Sequence, residues 1–511
     1  MAAPQTDPYA RVVHRFSTAS KLDAARMMLS WDAQTHMPVG GAWARGEQMA
    51  AITEVSTDLI GSDAAAGELA EAEAMAVKLA PDERADLSEM RRQYAHASAA
   101  PKELAAAKTR ASQALQAVWR KAKPENDWKA FEPGFVELLA ITREIAQAKA
   151  EALGVTPYAA LIDEFDPGVG EALIDPIFAE LAAFLPGVIA EVRERQAAWP
   201  KPIPFGAIPI EQQAALSHQL AVAIGHDPDH FRIDQAPHPF SVPHSPGDVR
   251  FTTRYDVENP KFAVAATLHE AGHAMYEYNL PRAFAFRAGG MARGMTAHES
   301  QSLSLEKLAG RSREFLGWLA PKMAEAFAGA SSGSGGDPRF SPANVLNTWR
   351  RLDDGFIRVE ADELSYPLHV ILRYRLEQAL IAGDLQPADV PGAWNELFEK
   401  LLGRTPPDVA HGPLQDIHWA MGMLGYFPNY AMGSMLAAQL FERATADDPD
   451  ILPAFGRGDF APYFAWVKPR VHERASLTSF DALVRDATGA PLSADAFKRH
   501  AKRRYLDEAA P

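Results

Sequence analysis

Five residues, His269-Glu270-Ala271-Gly272-His273, set the terms for the rest of this chain. They lie within 267–279, a stretch that reads as helix. A helix turns about 100° per residue, so positions i and i+4 sit about 40° apart on one face and about 6 Å apart along the axis. His269 and His273 can therefore aim two imidazoles at one ion. Glu270 is displaced from His273 by about 60°, close enough to reach a water on that ion without ligating it.

The pattern is H-E-x-x-H, in which each residue type has a task in metal-assisted hydrolysis. The same letters also arise on ordinary surface helices, so context decides. Phe262, Ala265, Ala266, Leu268 and Ala274 flank the motif, which predicts a buried helix. Two buried histidines beside a buried glutamate are costly without a partner, and a metal ion is one. Gly272 lowers helix propensity by about 1 kcal/mol relative to alanine. Its presence fits a close approach by another backbone or by substrate.

A catalytic zinc site takes a third protein ligand and leaves one position to water. Glu299, in His298-Glu299-Ser300-Gln301, stands 26 positions after His273. That interval suits the end of one helix, a break at Pro281 and Gly289-Gly290, and the start of a second. His298 is the rival ligand; it would give an all-histidine site with Glu299 beside it.

The 511 residues are 47% hydrophobic, ample for one large domain or two or three smaller ones. A net charge of −15 argues against nucleic acid and an anionic membrane surface as partners, and ordinary solubility accounts for it. Cysteine is absent, so metal ligands must be His, Asp or Glu, and a thiol nucleophile or disulfide framework is excluded. The N-terminus carries no basic segment followed by an apolar run, and no uninterrupted apolar stretch of about 18 residues is long enough for a bilayer span. These readings predict a cytoplasmic protein.

Most of the chain reads as helix: 63–120, 131–153, 170–197, 211–224, 300–328, 357–383 and 432–444. The 63–120 stretch predicts a helical pair, either an oligomer contact or plain surface structure. Trp199-Pro200-Lys201-Pro202-Ile203-Pro204-Phe205-Gly206 is a rigid connector, and 329–337 is a Gly/Ser-rich loop. One region alternates instead: Val249, Phe251, Thr253 and Tyr255 against Arg250, Thr252, Arg254 and Asp256. With Phe231 and Ile233 as partner strand, and 238–247 as connection, this predicts a small hairpin just before the metal helix. It is either an edge for an extended peptide or a ribbon over a helix end.

Six ordered segments now give a specific resemblance: His238-Pro239-Phe240; Asp248-Val249-Arg250-Phe251-Thr252; 269–273; His298-Glu299-Ser300-Gln301; Ile357-Arg358-Val359-Glu360-Ala361-Asp362; and Gly412-Pro413-Leu414-Gln415-Asp416-Ile417-His418-Trp419. Trp31-Asp32 and Gly425-Tyr426-Phe427-Pro428-Asn429-Tyr430 add to it. Over nearly its full length the chain resembles the carboxypeptidase Taq family of zinc metallocarboxypeptidases. The resemblance implies a mainly α fold with a deep groove and a small sheet beside it, a homodimer, and release of single residues from peptide C-termini with broad preference. It implies His269, His273 and Glu299 as metal ligands and Glu270 as the catalytic carboxylate. The whole chain, 1–511, would be one catalytic unit. Its metal and substrate core would be about 225–450, and its N-terminal region, about 1–130, a dimer contact or groove lid.

The chain departs from the family pattern after Ser302. A basic residue and a tryptophan are expected before Glu306, and Leu303-Ser304-Leu305 stands there. Pro367 should kink or end the 357–383 helix, and 329–337 looks inserted. No departure removes a group the chemistry needs.

Zinc, or cobalt with the same donors, would activate a water for Glu270 to deprotonate. An exopeptidase must also hold the terminal carboxylate, for which a guanidinium is suited; Arg358 and Arg250 are candidates, and a structural ion pair such as Arg358 with Asp362 is the alternative. Tyr430 and His418 lead the candidates for oxyanion donor. His238, Tyr426 and Gln415 complete the expected substrate-binding set, with core packing the alternative for each tyrosine. Asp416 and Asp362 are candidates to orient a ligand histidine, or else act as caps or ion-pair partners. An oligopeptidase or endopeptidase would share this chemistry without the carboxylate clamp, and a non-catalytic helical scaffold would keep the motif alone.

Overall fold

A computed structural model describes residues 7–242, 246–328 and 337–510. All of the 329–337 loop but Asp337 lies outside the described residues, as do Pro243, His244 and Ser245 of the 238–247 connection.

Helices α1 Pro8–Thr35, α2 Ala42–Ile60, α3 Asp63–Glu73, α4 Pro81–Ser98 and α5 Lys102–Glu125 open the chain. Asp7 accepts the Tyr9 amide ahead of α1 and Ser62 the Ala65 amide ahead of α3, satisfying N–H groups that a helix start leaves bare. The 63–120 stretch is three helices, not two, because Pro81 and Pro101 each restrict the residue before them and force a break. Val12, Phe16, Leu69, Leu87 and Met90 form a small apolar cluster apart from the main core.

Helices α6 Trp128–Leu153, α7 Pro157–Phe165, α8 Glu171–Ala197 and α9 Ile210–Ile224 follow. Among the described residues, α8 alone is long and apolar enough in composition to cross a membrane. Asp175 and Glu180 interrupt it, and its Ile174, Phe178, Leu181, Leu185 and Val192 stripe is buried in the main core.

Three strands come next: β1 Phe231–Gln235, β2 Ser241–Val242 and β3 Val249–Thr253, in the order β1-β3-β2. The sequence predicts a hairpin of 231–233 with 249–255, and the structure corrects it. β1 runs parallel to β3, with Phe231 opposite Val249, while β2 is the antiparallel partner. Parallel neighbours need a crossover of a dozen or so residues, and the segment read as a plain connection supplies both that crossover and the two-residue strand.

The remaining helices are α10 Pro260–Tyr278, α11 Gly294–Leu303, α12 Arg313–Ala328, α13 Pro342–Arg350, α14 Tyr366–Ala382, α15 Val390–Leu402, α16 Pro428–Asp447, α17 Ile451–Phe455, α18 Ala461–Val467, α19 Phe480–Thr488 and α20 Asp495–Lys502. A π-turn, Ser304–Ala309, follows α11, and another, Arg503–Asp507, follows α20. The 357–383 segment is not one kinked helix. Pro367 sits in the first turn of α14, where its missing N–H costs nothing. The fold is thus mainly α with a small three-stranded sheet beside the metal helix.

Candidate metal centre and cleft

Helix α10 is buried along most of its length, and α11 packs against both α10 and α16. Two glycines permit this. A Cβ at Gly272 would lie 2.5 Å from the Gln301 carbonyl oxygen, and one at Gly433 would lie 2.7 Å from Glu299 Cβ. The contact anticipated at Gly272 is therefore with the backbone of α11. It brings Glu299 to the two histidines: Glu299 Oε2 is 3.3 Å from His273 Nε2 and 3.8 Å from His269 Nε2. Three donors on one tetrahedral ion at about 2.1 Å would stand about 3.4 Å apart. Ligand atoms from His269, His273 and Glu299 all lie within 4.8 Å of one another, and among the described residues this is the group that could hold an ion.

Hydrogen bonding fixes which nitrogen faces inward. His269 Nδ1 lies 2.9 Å from Glu306 Oε2; a carboxylate only accepts, so Nδ1 carries a proton and Nε2 is the nitrogen left facing Glu299. His298 is not part of the donor group. Its Nε2 lies 2.9 Å from Glu277 Oε1 and its Nδ1 2.6 Å from His273 Nδ1. With Nε2–H donated to Glu277, His298 accepts from His273 Nδ1–H, and the neutral His273 keeps its Nε2 lone pair. Both imidazoles thus present Nε2 to Glu299. Asp416 and Asp362 do not orient them. Asp416 pairs with Arg358 and Arg373, and Asp362 caps the Leu364 and Ser365 amides. Glu306 and Glu277 take the orienting places. Glu277, one turn after His273, was on the right face to be noticed; Glu306 depends on a π-turn that no pattern announces.

Electrostatics fit a cation. Burial raises the Glu299 carboxyl, but His269 and His273 outweigh it and leave it lowered. Burial likewise disfavours charge on His269, yet Glu299 and Glu306 raise it to about 9. His273 is driven down to about 4 by burial. Burial raises the Glu306 carboxyl, while Lys307 and His269 hold it well below the carboxylate range. Burial pushes Glu270 up to about 7, against the pull of His269 and a hydrogen bond from Ser241. Glu299 Oε1 and Glu270 Oε2 are buried with no protein partner. Two imidazoles, one carboxylate and an orphaned carboxylate oxygen beside them suit a divalent metal and a water.

Two cavities meet here. One, about 490 Å³, is lined by Gln93, Phe165, Phe240, Met291, Met295 and Tyr426. The other, about 250 Å³, is lined by Phe262, Ala265, Ala266, Leu303, Val359 and Arg358. His269, Glu270, Glu299 and Tyr430 line both. Arg358 is buried; its Nη2 donates to Asp416 Oδ1 at 2.9 Å and its guanidinium carbon stands 4.5 Å from the Tyr430 ring centre. Its partner is Asp416, not Asp362. Arg373 shares the same carboxylate at 2.6 Å, so these three side chains carry one net positive charge. Tyr430 Oη lies 3.2 Å from His418 Nε2. Burial lowers His418 to about 4 and raises Tyr430 to about 12.

The other expected residues stand further off. Arg250 pairs with Asp248 at 2.8 Å and covers the Trp31 ring at 4.5 Å, tying β3 to α1 rather than lining either cavity. His238 is exposed, while the adjacent Pro239 and Phe240 line the cleft. Gln415 is spent on backbone, accepting from the Arg358 amide at 2.8 Å and donating to His411 O at 2.7 Å.

A buried helix bearing H-E-x-x-H with a glutamate from a second helix beside it is an arrangement suited to a metallopeptidase. Residues 11–505 match the carboxypeptidase Taq (M32) metallopeptidase family, and the chain belongs to that family. It is 35% identical over 488 residues to thermostable carboxypeptidase 1 of Thermus thermophilus, covering 94% of each chain. It is 36% identical to carboxypeptidase 1 of Bacillus subtilis over 74% of each. The solved structure of Trypanosoma cruzi metallocarboxypeptidase 1 superposes with a TM-score of 0.94 at 34% identity, covering 98% of this chain and 99% of that one. The chain is a metallocarboxypeptidase, acting on peptides and requiring a divalent metal.

Proposed function

We propose that this enzyme releases amino acids one at a time from free peptide C-termini with broad side-chain tolerance, with zinc held by His269, His273 and Glu299 and Glu270 as general base. Cobalt or another divalent transition metal suits the same donors. The observation that carries the reading is the donor group and Glu270 at the junction of two cavities, the smaller of which contains Arg358. The terminal residue occupies the smaller cavity and the upstream residues the larger. The net positive charge of the Arg358–Asp416–Arg373 group receives the terminal carboxylate.

His269, His273 and Glu299 would hold the divalent ion, which would supply Lewis-acid activation of a water and of the scissile carbonyl. Glu270, poised near neutrality by burial, takes a proton from the attacking water and returns it to the leaving amine. Neutral His418 directs Nε2–H to the Tyr430 oxygen, which turns the phenol proton towards the developing oxyanion. Apolar walls at Phe262, Ala265 and Leu303 exclude water and read little of the side chain.

We also assign the whole chain to one catalytic unit. Glu89 and Gln93 of α4 line the larger cavity, which supports the N-terminal region as groove wall or lid. A cytoplasmic homodimer completes the reading; the absence of cysteine suits a reducing compartment.

The test uses one peptide with a free C-terminus and its amidated twin, followed by mass spectrometry over time. Stepwise loss from the free peptide alone is expected. Internal cuts, or equal attack on both, would establish an endopeptidase instead. Arg358→Met should weaken use of the free peptide by about 2 kcal/mol or more in kcat/KM.

A further inference from the structure

The end of the chain reaches the metal centre through two backbone carbonyls. Helix α11, which carries Glu299, runs into the π-turn Ser304–Ala309, and that turn delivers Glu306 to His269. The Gly310 N–H reaches Leu305 O at 2.7 Å and the Ser312 N–H reaches Ala309 O at 2.9 Å. Between these acceptors lie the carbonyls of Lys307 and Leu308, and Arg504 donates to both, at 2.6 Å for Leu308 O. The same guanidinium donates to Glu363 Oε2 at 3.0 Å. Arg504 is buried and belongs to the second π-turn, Arg503–Asp507. Glu363 is held further by His500 Nε2 at 2.7 Å and by the Tyr505 hydroxyl at 2.8 Å. One planar fork thus joins an anchored anion to the two carbonyls immediately after the residue that orients His269.

We infer that Arg504 is a positioning residue for the metal centre: by capping the carbonyls of 307 and 308 it fixes the register of the π-turn and so holds Glu306 against His269 Nδ1. The inference rests on the reading of His269 as a metal ligand. A π-turn is a rare geometry that persists only where its surroundings hold it. Relaxation by one residue would rotate the following side chains by about 100°, enough to carry Glu306 off the imidazole. The fork matters more than the charge. A lysine keeps the positive charge beside Glu363 but cannot serve two carbonyls and a carboxylate in one plane.

Zinc dissociation constants from chelator competition test this in the full-length wild type, Arg504→Lys, Glu306→Gln and the double variant. Loss of a group that orients a ligand weakens metal binding by about 10- to 100-fold. That loss is expected for Arg504→Lys and for Glu306→Gln, while the double variant should stay within about twofold of Glu306→Gln, because the two changes act on one contact. Tyr505→Phe is the control; it removes a hydroxyl from Glu363 but leaves both carbonyls capped, so its melting temperature should fall with zinc affinity unchanged. If Arg504→Lys does not fold, Glu363→Gln loosens the same guanidinium and carries the comparison. Arg504→Lys binding zinc as tightly as wild type, or compounding the Glu306→Gln loss in full, would overturn the inference. A wild type that binds no zinc would overturn the reading of the site itself, before any variant is compared.

Discussion

Gly272 faces the Gln301 carbonyl so closely that the smallest side chain at 272 would stand 2.5 Å from its oxygen. The obstacle is backbone, which cannot rotate aside. This crossing, more than any hydrogen bond, sets the distance between Glu299 on α11 and the histidines on α10.

Gly272→Ala therefore has two opposed effects. On an open helix the change gains about 1 kcal/mol of propensity. Here α11 must move, and overpacking of a tight core costs about 1–3 kcal/mol. The expected outcome is a lower melting temperature together with weaker zinc retention, read from thermal melts and metal content. A variant as stable as wild type with its full complement of zinc would show that the crossing is slack.

Glu270→Gln keeps the size of the side chain and removes its basicity. Glu270 is outside the donor group, so metal content should be unchanged. Turnover should fall about 10²- to 10⁴-fold, the usual contribution of a positioned base. Undiminished hydrolysis by the loaded variant would remove Glu270 from the mechanism.

Metal loading should release a proton near neutral pH. With no ion bound, His269 is raised to about 9 by Glu299 and Glu306 against the effect of burial, so it enters the reaction charged. A ligand imidazole must be neutral, so the ion displaces that proton and affinity tightens as pH rises towards 9. For the metal-free protein the sign is opposite. A raised histidine contributes stability that is complete below its unfolded value and lost as pH rises through 9. Calorimetry in two buffers of different ionisation enthalpy would reveal the proton. Identical heats in both would contradict this charge state.

The parts of this protein written into local spacing were legible, and those written into long-range contact were not. That His269, Glu270 and His273 share one helix face follows from helical period. The break at Pro281 and Gly289-Gly290 allows a second helix to bring a further donor, but spacing leaves Glu299 and His298 both open and the family resemblance favours Glu299. The partner of β3 does not follow from spacing, since Ser241–Val242 is too short to alternate and β1 pairs parallel across a crossover. Arg250 shares a motif with residues near the cleft, but Trp31, from the other end of the chain, claims its guanidinium. Glu306 reaches His269, and Arg504 reaches the carbonyls of 307 and 308, from two π-turns that no sequence pattern announces.

Asp166 offers a test away from the metal. It is fully buried; its Oδ1 accepts the Thr296 amide at 3.3 Å near the start of α11, and its Oδ2 has no protein partner. Burial raises it to about 7, although the Thr296 hydrogen bonds and Arg293 pull the other way. The native state therefore binds this proton more tightly than the unfolded chain, whose carboxyl titrates near 3.8. The resulting stability is complete below about pH 4 and drains away as pH rises through about 7, with a slope of at most about 1.4 kcal/mol per pH unit. Asp166→Asn keeps an acceptor for Thr296 and carries no titration. Urea unfolding across this range should show the variant gaining on wild type as pH rises, then a constant difference above neutrality. A difference that does not vary with pH would mean that the carboxyl ionises as it would in water, and that the start of α11 is wetter than its packing indicates.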